Sequence, residues 1–306
     1  MSGEDKKLLE IEDLCMDFKT GSGKIIKALR NVSFDIKEGE VFGLVGESGS
    51  GKSTIGKCII GLYKPTSGRI TYNGVDSKGG KIGKIFGEDN NIQMIFQDPM
   101  SSLNPSMKVK DIVREALDIR KVGSSGEERE KIALEWLSKV GISEKLADRY
   151  PEHFSGGQRQ RVGIARAMAT NPGLIIADEC IAALDACVQA QVVNMLNDIK
   201  KESKTAFLFI SHDLSMVRYL SNRIGVLHWG YLLEIGTSEE IFKDPVHPYT
   251  RSLLSAIPKI NPLIWSKDTG SYDPNKQGIN YANGEWHDVT GTHRVWCTGN
   301  ELEDWR

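Results

Sequence analysis

The chain has 306 residues, 40% hydrophobic and 26% charged, which is enough for a folded core and excludes a wholly disordered protein. Its formal net charge of −2 provides no overall positive field for nucleic acid or an anionic membrane surface. Five cysteines without a CxxC pair do not form a disulfide framework, and they favour a reducing, cytosolic compartment.

The first part of the chain predicts short strands that alternate with turns, over residues 8–11, 32–36, 41–45 and 69–72. Residues 41–45 are almost wholly apolar, as in a strand buried on both faces. They lead directly into a glycine-rich turn and a predicted helix over 53–62. A strand, a turn and a helix in this order indicate an α/β core.

The middle of the chain has helical periodicity. Apolar side chains recur at helical intervals within residues 98–146, and Ser125 with Glu128 predicts a capping box at the start of one helix. Two strands of the buried type follow at 174–177 and 206–210, on either side of another predicted helix. The α/β core therefore resumes after a helical insert.

The composition changes again at Asp244. A segment with two prolines precedes a short predicted helix over 250–257, and a tail rich in tryptophan, asparagine and glycine runs to Arg306. We interpret 244–306 as an extension that is ordered in part. No signal peptide and no apolar stretch of roughly 18–20 residues is evident, so we expect a soluble chain.

A phosphate-binding loop is predicted between the apolar strand and its helix. The pattern GxxxxGK[ST] begins there and, with one further residue, covers Gly46, Glu47, Ser48, Gly49, Ser50, Gly51, Lys52, Ser53 and Thr54. Its glycines let successive N–H groups face phosphate oxygens at a helix N-terminus. We expect Lys52 to reach the β and γ phosphates and Ser53 to bind Mg²⁺. Chance produces the pattern in roughly one per cent of chains this long, so an ordinary glycine-rich turn is the weaker interpretation.

Two acidic residues, Asp178 and Glu179, follow the apolar strand predicted at 174–177. A buried charge is costly without a partner, and a metal ion and a water would supply partners. Asp178 is suited to hold Mg²⁺, and Glu179 is suited to accept a proton from the attacking water. Such a pair alone is more often part of a capped loop, but the phosphate loop in the same chain favours the catalytic interpretation.

A second anion site is predicted at the start of a later helix. Ser155, Gly156, Gly157 and Gln158 precede a run of good helix formers over 159–169, so small residues present N–H groups to an anion. A nucleotide held at the phosphate loop leaves this site without a phosphate in the same subunit. A plain glycine-rich N-cap is the alternative.

Together these residues resemble the ATP-binding subunit of an ATP-binding cassette (ABC) transporter, over about residues 8–258. The resemblance implies an α/β fold of the P-loop NTPase class, with a RecA-like core, an antiparallel β subdomain, a helical subdomain and a C-terminal extension. The core with its β subdomain is then expected at 1–97 and 165–243. The helical subdomain with the signature motif is expected at 98–164, and the extension at 244–306.

The resemblance also assigns roles to single residues. The second anion site matches the signature motif, which binds the γ phosphate of ATP held by the facing subunit of a head-to-tail dimer. Gln97 matches the glutamine loop, which touches Mg²⁺ and the attacking water; Asp185 matches the D-loop at the dimer interface; His212 matches the switch histidine at the γ phosphate. Phe18 stands where the family stacks an aromatic residue on adenine, with Tyr72 or another aromatic residue as the alternative.

The stretches 46–51, 97–105 and especially 245–254 resemble more narrowly the ATPases of oligopeptide and dipeptide importers, a branch that also takes up nickel and other small solutes. This implies an ATP-hydrolysing subunit bound peripherally at the cytoplasmic face of the cell membrane. Implied partners are a second ATPase, expected to be a different chain, two transmembrane permeases that dock near 97–107, and indirectly an external solute-binding protein. We interpret His-Pro-Tyr at 247–249 as a helix start that fastens the extension to the core.

Two departures from the branch are visible. Cys180 stands where relatives have proline, and Cys187 lies in a segment where they often read Ser-Ile-Gln, so we expect altered loop stiffness with activity retained. Some relatives hold an iron–sulfur cluster in a cysteine-rich tail. This tail offers Cys297 alone, so a four-thiolate cluster within the chain is not expected.

The sequence disfavours two other classes of protein. Cassette ATPases of DNA repair or translation usually contain a long coiled coil or two tandem cassettes, whereas this sequence has one cassette and no heptad array. A sensor that binds nucleotide without hydrolysing it is disfavoured because Lys52, Asp178, Glu179 and His212 are all present. No nucleic acid partner is expected.

Overall fold

A computed structural model describes residues 6–76, 91–98, 102–182, 184–256 and 272–306. Three predicted features fall outside the described residues: the stretch 99–101 after Gln97, Ala183 before the D-loop motif, and the helix end at Ile257. In the part of the chain that is described, no helix is both long enough and apolar enough to cross a membrane.

A mixed sheet forms the centre of the described fold. Its strands in spatial order are β11 (Glu285–Asp288), β12 (Arg294–Cys297), β10 (Tyr231–Thr237), β9 (Arg223–His228), β3 (Val41–Val45), β8 (Ala206–Ser211), β7 (Leu174–Asp178) and β6 (Ile92–Ile95). The five strands from β9 to β6 run parallel, and β10, β12 and β11 continue the sheet in antiparallel pairs. Strands β3, β7 and β8 are buried along their whole length, which explains their continuous apolar sequences. Because these strands are parallel, their carboxyl ends share one edge of the sheet, the edge where ligands bind in open α/β folds.

A second, antiparallel sheet covers the first. Its strands in spatial order are β2 (Ile25–Lys37), β1 (Lys7–Lys19), β4 (Ser67–Tyr72) and β5 (Val75–Asp76). β1 and β2 are much longer than the sequence predicts, because register shifts between Ile11 and Leu14 and the left-handed backbone of Asp13 (φ 48°) interrupt the alternation of apolar and polar residues. The antiparallel β subdomain expected from the sequence is therefore present.

Helices cover the remaining faces of the described fold. They are α1 (Lys52–Ile59), α2 (Val109–Arg120), α3 (Gly126–Lys139), α4 (Glu144–Ala147), α5 (Gly156–Ala169), α6 (Ala186–Glu202), α7 (Leu214–Leu220), α8 (Ser238–Lys243), α9 (Pro248–Ser255) and α10 (Gly299–Trp305). The predicted insert, 98–164, contains α2 to α4 and the first part of α5, which continues to Ala169. The buried residues Val113, Leu137 and Val162 of these helices belong to one apolar core. Helix α1 ends earlier than predicted, close to Gly61, whose φ of 76° is left-handed.

The predicted capping box at α3 forms in part. The Ser125 hydroxyl accepts a hydrogen bond from the N–H of Glu128 at 3.2 Å. The Glu128 carboxylate, however, accepts from the N–H and the hydroxyl of Ser124, at 2.7 and 2.6 Å, and not from Ser125. Ser124 offers two donors one position earlier, so the carboxylate makes two hydrogen bonds there.

The C-terminal extension is joined to the central sheet through a buried carboxylate. Glu234 of β10 is fully buried and accepts hydrogen bonds from the N–H groups of Val246 (2.7 Å) and His247 (3.1 Å). Its Oε1 also lies 2.7 Å from Nε2 of His293, just before β12. These partners compensate for burying the carboxyl group. Strand β12 pairs with β10, so the described part of the extension continues the central sheet.

A second carboxylate connects α8 to the tail. Glu240 accepts hydrogen bonds from the hydroxyls of Thr290 (2.7 Å) and Thr292 (2.8 Å) and from the N–H of Thr237 (2.8 Å). Burial by itself raises the pKa of Glu240, but the hydrogen bonds from Thr290, Thr237 and Thr292 outweigh it and lower the pKa to about 2.

We expect Glu240→Gln to lower the midpoint of urea unfolding at pH 7, with a difference from the wild type that narrows below pH 4.5. The folded-state pKa is depressed, so the carboxylate stabilises the fold above its ordinary pKa of 4.5 and loses that contribution as the pH falls toward 2. Glu239→Gln is the matched control, since Glu239 is exposed and pairs with Lys243 on the same helix. A difference that stays constant with pH would contradict the assignment.

Candidate functional site

The loop between β3 and α1 has the backbone that its glycines predict. Gly46, Gly49 and Gly51 have φ values of 155°, 79° and 110°. A Cβ at Gly46 would lie 2.0 Å from the carbonyl oxygen of Leu227, and one at Gly51 would lie 2.7 Å from that of Ala28. Glycine is required at both positions because the neighbouring backbone approaches so closely.

Lys52 is held against this loop. The side chain is 4% exposed, and its Nζ donates hydrogen bonds to the carbonyl oxygens of Gly46 (2.8 Å) and Glu47 (2.9 Å). Burial lowers the pKa of Lys52, and the carboxylates of Glu179 and Asp178 act in the opposite direction. A cation with little access to water is therefore placed at the start of α1.

Ser53, at the start of α1, contacts Asp178 at the end of β7. The Ser53 hydroxyl donates a hydrogen bond to Oδ1 of Asp178 at 2.8 Å, and Asp178 is 4% exposed at the end of β7. Burial raises the pKa of Asp178, whereas the hydrogen bond from Ser53 lowers it. A hydroxyl and a carboxylate oxygen at this spacing are the hard oxygen donors that suit Mg²⁺, so the residues present fit the predicted metal.

Glu179 brings three predicted residues together. Its Oε2 accepts a hydrogen bond from Nε2 of Gln97 at 3.0 Å and lies 3.5 Å from Nδ1 of His212, while its Oε1 lies 4.0 Å from Nζ of Lys52. Glu179 has a left-handed backbone, with φ of 44°, and its N–H donates to the carbonyl oxygen of Ile210 at 2.9 Å. Strained backbone of this kind is concentrated at functional sites.

Lys52, Ser53, Gln97 and Glu179 border one cleft at the carboxyl edge of the central sheet. The cleft has a volume of about 220 Å³ and is lined by Ala28, Ser48, Gly49, Gly51, Lys52, Ser53, Thr54, Gln97 and Glu179. Sequence reasoning missed Ala28, because the predicted strand began at residue 32, whereas β2 begins at Ile25. The cleft supplies N–H groups, a cation, a carboxylate and an amide around a space open to solvent.

The predicted second anion site lies at the start of α5. The hydroxyl of Ser155 accepts from the N–H of Gln158 at 3.3 Å, and the Gln158 side chain accepts from the N–H of Ser155 at 3.0 Å. Ser155 and Gly156 are exposed. None of the four predicted residues lines the cleft at Lys52 in the described structure.

Asp185 lies beside this second site. It is exposed and caps α6, its Oδ1 accepting a hydrogen bond from the N–H of Val188 at 3.0 Å. A Cβ at Gly157 would lie 2.6 Å from Cγ1 of the same Val188, so the starts of α5 and α6 are in close contact. The predicted D-loop residue and the signature residues therefore lie next to each other, with Ser155, Gly156 and Asp185 exposed.

Phe18 is half-buried on β1, and its ring meets that of Tyr63 edge to face with 5.2 Å between the centroids. The alternative, Tyr72, is 3% exposed, and burial raises its pKa to about 12. A ring buried to that extent has no face available for a base, so Tyr72 does not serve. The role of Phe18 stays a prediction.

The cysteines and the His-Pro-Tyr segment also occupy defined places. Cys180 is buried, which raises its pKa to about 12, whereas Cys187 is exposed at the start of α6. His247 caps α9, with its Nδ1 accepting the N–H of Tyr249 at 3.0 Å, as expected for a helix start. Sequence reasoning missed that the Tyr249 hydroxyl also contacts the N–H of Glu47 in the phosphate loop.

The chain matches two protein-family models. Residues 29–182 match the ABC transporter model, and residues 233–278 match the C-terminal region of oligopeptide and dipeptide transporters. The first match begins within β2, runs through the phosphate loop and ends just past Glu179. The second includes the His-Pro-Tyr segment.

Similar proteins are matched over nearly their whole length. The dipeptide transport ATP-binding protein DppF of Lactococcus lactis subsp. cremoris is 48% identical over 98% of this chain and 97% of its own. The oligopeptide transport ATP-binding protein OppF of Streptococcus mutans is 46% identical over 100% of this chain and 99% of its own. A solved dimer of the ATP-binding cassette MJ0796, in a post-hydrolysis state bound to ADP and Pi, is 34% identical, with a TM-score of 0.68 over 76% of this chain and 99% of that one.

The fold of that cassette, the matched family model and the end-to-end relatives agree with the cleft built around Lys52 and Glu179. By these likenesses, the chain belongs to the ABC transporter family, among its ATP-binding proteins.

Proposed function

We propose that this chain is the ATP-hydrolysing subunit of an importer that takes up oligopeptides or dipeptides. The observation that carries the proposal is the meeting of Gln97, His212 and Lys52 around Glu179, beside a glycine-rich loop at the carboxyl edge of the sheet. The peptide substrate is supported by the names of the two relatives and by the C-terminal family model at 233–278.

The cleft at Lys52 is proposed to hold the triphosphate of ATP. The N–H groups of the glycine-rich loop and the start of α1 would face phosphate oxygens, and Lys52 would neutralise their charge. Ser53 and Asp178 would hold Mg²⁺, which when bound supplies positive charge to the phosphates. Phe18 is proposed to stack on adenine.

Glu179 is proposed as the general base for hydrolysis. Its carboxylate would take a proton from water as that water attacks the terminal phosphorus. Gln97, at 3.0 Å from the carboxylate, would orient the same water, and His212 would donate a hydrogen bond to the terminal phosphate. The amide and the imidazole both approach Oε2 of Glu179, at 3.0 and 3.5 Å, and this proximity supports these roles.

The second anion site is proposed to serve the facing ATPase subunit. Its residues Ser155 to Gln158, of which the first two are exposed, would bind the terminal phosphate of the nucleotide held by that subunit, with Asp185 beside the interface. The exposure of Ser155 and Gly156, and the fact that neither lines the cleft at Lys52, support the arrangement. The solved cassette it resembles is itself described as dimeric.

The remaining proposed partners are two membrane permeases and, indirectly, an external solute-binding protein, with this chain bound peripherally at the cytoplasmic face. Closure of the ATPase dimer on ATP would move the helical subdomain and thereby the permeases. The docking surface expected near 97–107 lies partly outside the described residues.

Purification of the tagged chain from detergent-solubilised membranes, followed by reconstitution into vesicles, tests the proposal. We expect permeases and a second ATPase to co-purify, and ATP-driven uptake of a labelled di- or tripeptide once the solute-binding protein is added. Vesicles with the Lys52→Ala chain are the control and should show no uptake. Uptake of Ni²⁺ without peptide uptake would overturn the proposed substrate. Co-purification of ribosomes or DNA would overturn the transport role.

A further inference from the structure

Tyr249 lies at the phosphate loop, although it belongs to the C-terminal extension. It is fully buried at the second position of α9, and its ring stacks on that of His228 with 4.1 Å between the centroids. The centroid of the Tyr272 ring lies 5.2 Å from that of Tyr249. The N–H of Tyr249 donates a hydrogen bond to Nδ1 of His247. Packing and capping together hold the Tyr249 hydroxyl in one position.

That hydroxyl accepts a hydrogen bond from the backbone N–H of Glu47, with 3.0 Å between oxygen and nitrogen. Glu47 is the second residue of the phosphate loop and lies 202 positions earlier in the chain. The same peptide group carries the carbonyl oxygen of Gly46, which accepts a hydrogen bond from Nζ of Lys52 at 2.8 Å. One peptide plane is therefore held at its N–H by the extension and at its C=O by Lys52.

This peptide plane follows a glycine, so no side chain at position 46 restricts its rotation. Gly46 has no side chain and adopts a φ of 155°, so the bonds next to it rotate with little steric cost. A rotation would move the Gly46 oxygen away from Lys52 and change the direction in which the loop begins. The hydroxyl of Tyr249 opposes that rotation, because it would leave the Glu47 N–H without its acceptor.

We propose that Tyr249 is a positioning residue for nucleotide binding, whose hydroxyl holds the phosphate loop in its binding conformation before nucleotide arrives. The inference rests on the proposed nucleotide site at Lys52. A loop that is already ordered raises the fraction of molecules competent to bind, and the apparent Kd is inversely proportional to that fraction. The extension thereby contributes to nucleotide affinity as well as to the sheet.

Substitution Tyr249→Phe tests this role, because it keeps the ring and removes only the acceptor. Binding of MgADP to the full chain, measured by titration calorimetry, is expected to weaken roughly three- to tenfold, the range that one hydrogen bond supports. In the assembled transporter the KM for ATP should rise by a similar factor while kcat changes by less than about twofold. A purely structural role would lower thermal stability without this split.

The matched control is Tyr281→Phe. The Tyr281 hydroxyl belongs to the same aromatic cluster but lies 2.8 Å from Nδ1 of His228 and not against the loop. We expect this variant to lose thermal stability and to bind MgADP like the wild type. If MgADP binding weakens equally in both variants, the inference is overturned and the proposed function stands. The same holds if the wild type binds MgADP and Tyr249→Phe binds it equally well. A wild-type chain that does not bind MgADP overturns the proposed function as well.

Hydrogen exchange of the nucleotide-free wild type provides a second measurement that needs no variant. The Glu47 amide is expected to exchange at least tenfold more slowly than in an unstructured peptide, although the Glu47 side chain is exposed. Exchange at the unstructured rate would overturn the inference even if Tyr249→Phe failed to fold.

Discussion

Replacement of Glu179 by glutamine is expected to lower ATP turnover roughly 10²- to 10⁴-fold while leaving MgATP binding intact, because the amide cannot accept the proton of the attacking water. The amide oxygen still offers an acceptor to Gln97, and glutamine keeps the size of the side chain. Phosphate release from the assembled transporter at saturating MgATP measures the loss. Titration of the same variant with MgATP measures binding, and accumulation of a closed dimer is expected because the nucleotide persists.

Glu239→Gln is the control for this change, since it makes the same chemical substitution at an exposed glutamate of α8. It should hydrolyse ATP like the wild type. Turnover of the Glu179→Gln transporter within a factor of a few of the wild type would contradict the role of Glu179 as the general base. Loss of MgATP binding in that variant would instead indicate that Glu179 contributes to nucleotide binding.

The second large effect is that two substitutions in this chain should impair two different nucleotide sites. Lys52→Ala should abolish nucleotide binding by this chain, because it removes the cation that is buried against the phosphate loop. Ser155→Arg should leave this chain's own site occupied and impair the site of the facing ATPase, because Ser155 is exposed and lies outside the cleft. Photolabelling with an azido analogue of ATP, read separately on each ATPase of the assembled transporter, distinguishes the two results.

Ser125→Arg provides a matched control for Ser155→Arg. Both serines cap a helix through a hydrogen bond to the N–H three residues later, at 3.2 Å for Ser125 and 3.3 Å for Ser155. Loss of either cap costs about 1 kcal/mol of stability, so a difference in ATP hydrolysis between the two variants reflects the site and not the helix. Loss of labelling on this chain in both Lys52→Ala and Ser155→Arg would contradict a shared, two-subunit site.

Much of the nucleotide site is predictable from sequence because its parts are contiguous. The loop from Gly46 to Lys52 needs glycines at fixed positions, and the structure shows close backbone contacts at Gly46 and Gly51. The apolar run at 174–177 likewise indicates a buried strand, so Asp178 and Glu179 are expected at its carboxyl end. Family resemblance added Gln97 and His212, which the structure brings to Glu179.

Other features depend on residues that are distant in the sequence. Periodicity identifies Tyr72 as a strand residue but not as a buried one, so its exclusion as a base-stacking residue required the packed structure. The sequence pattern predicts β1 and β2 too short because bulges break the alternation of apolar and polar residues.

The sequence was sufficient for the class of fold, the phosphate loop and the acidic pair, because each is encoded by neighbouring residues whose backbone preferences and polarity act locally. The tertiary structure alone decided that Glu234 joins the extension to the central sheet and that Tyr249 holds the Glu47 N–H. Those contacts arise from the packing of segments up to about 200 residues apart. Local propensity does not specify which distant group forms a hydrogen bond with a buried donor or acceptor.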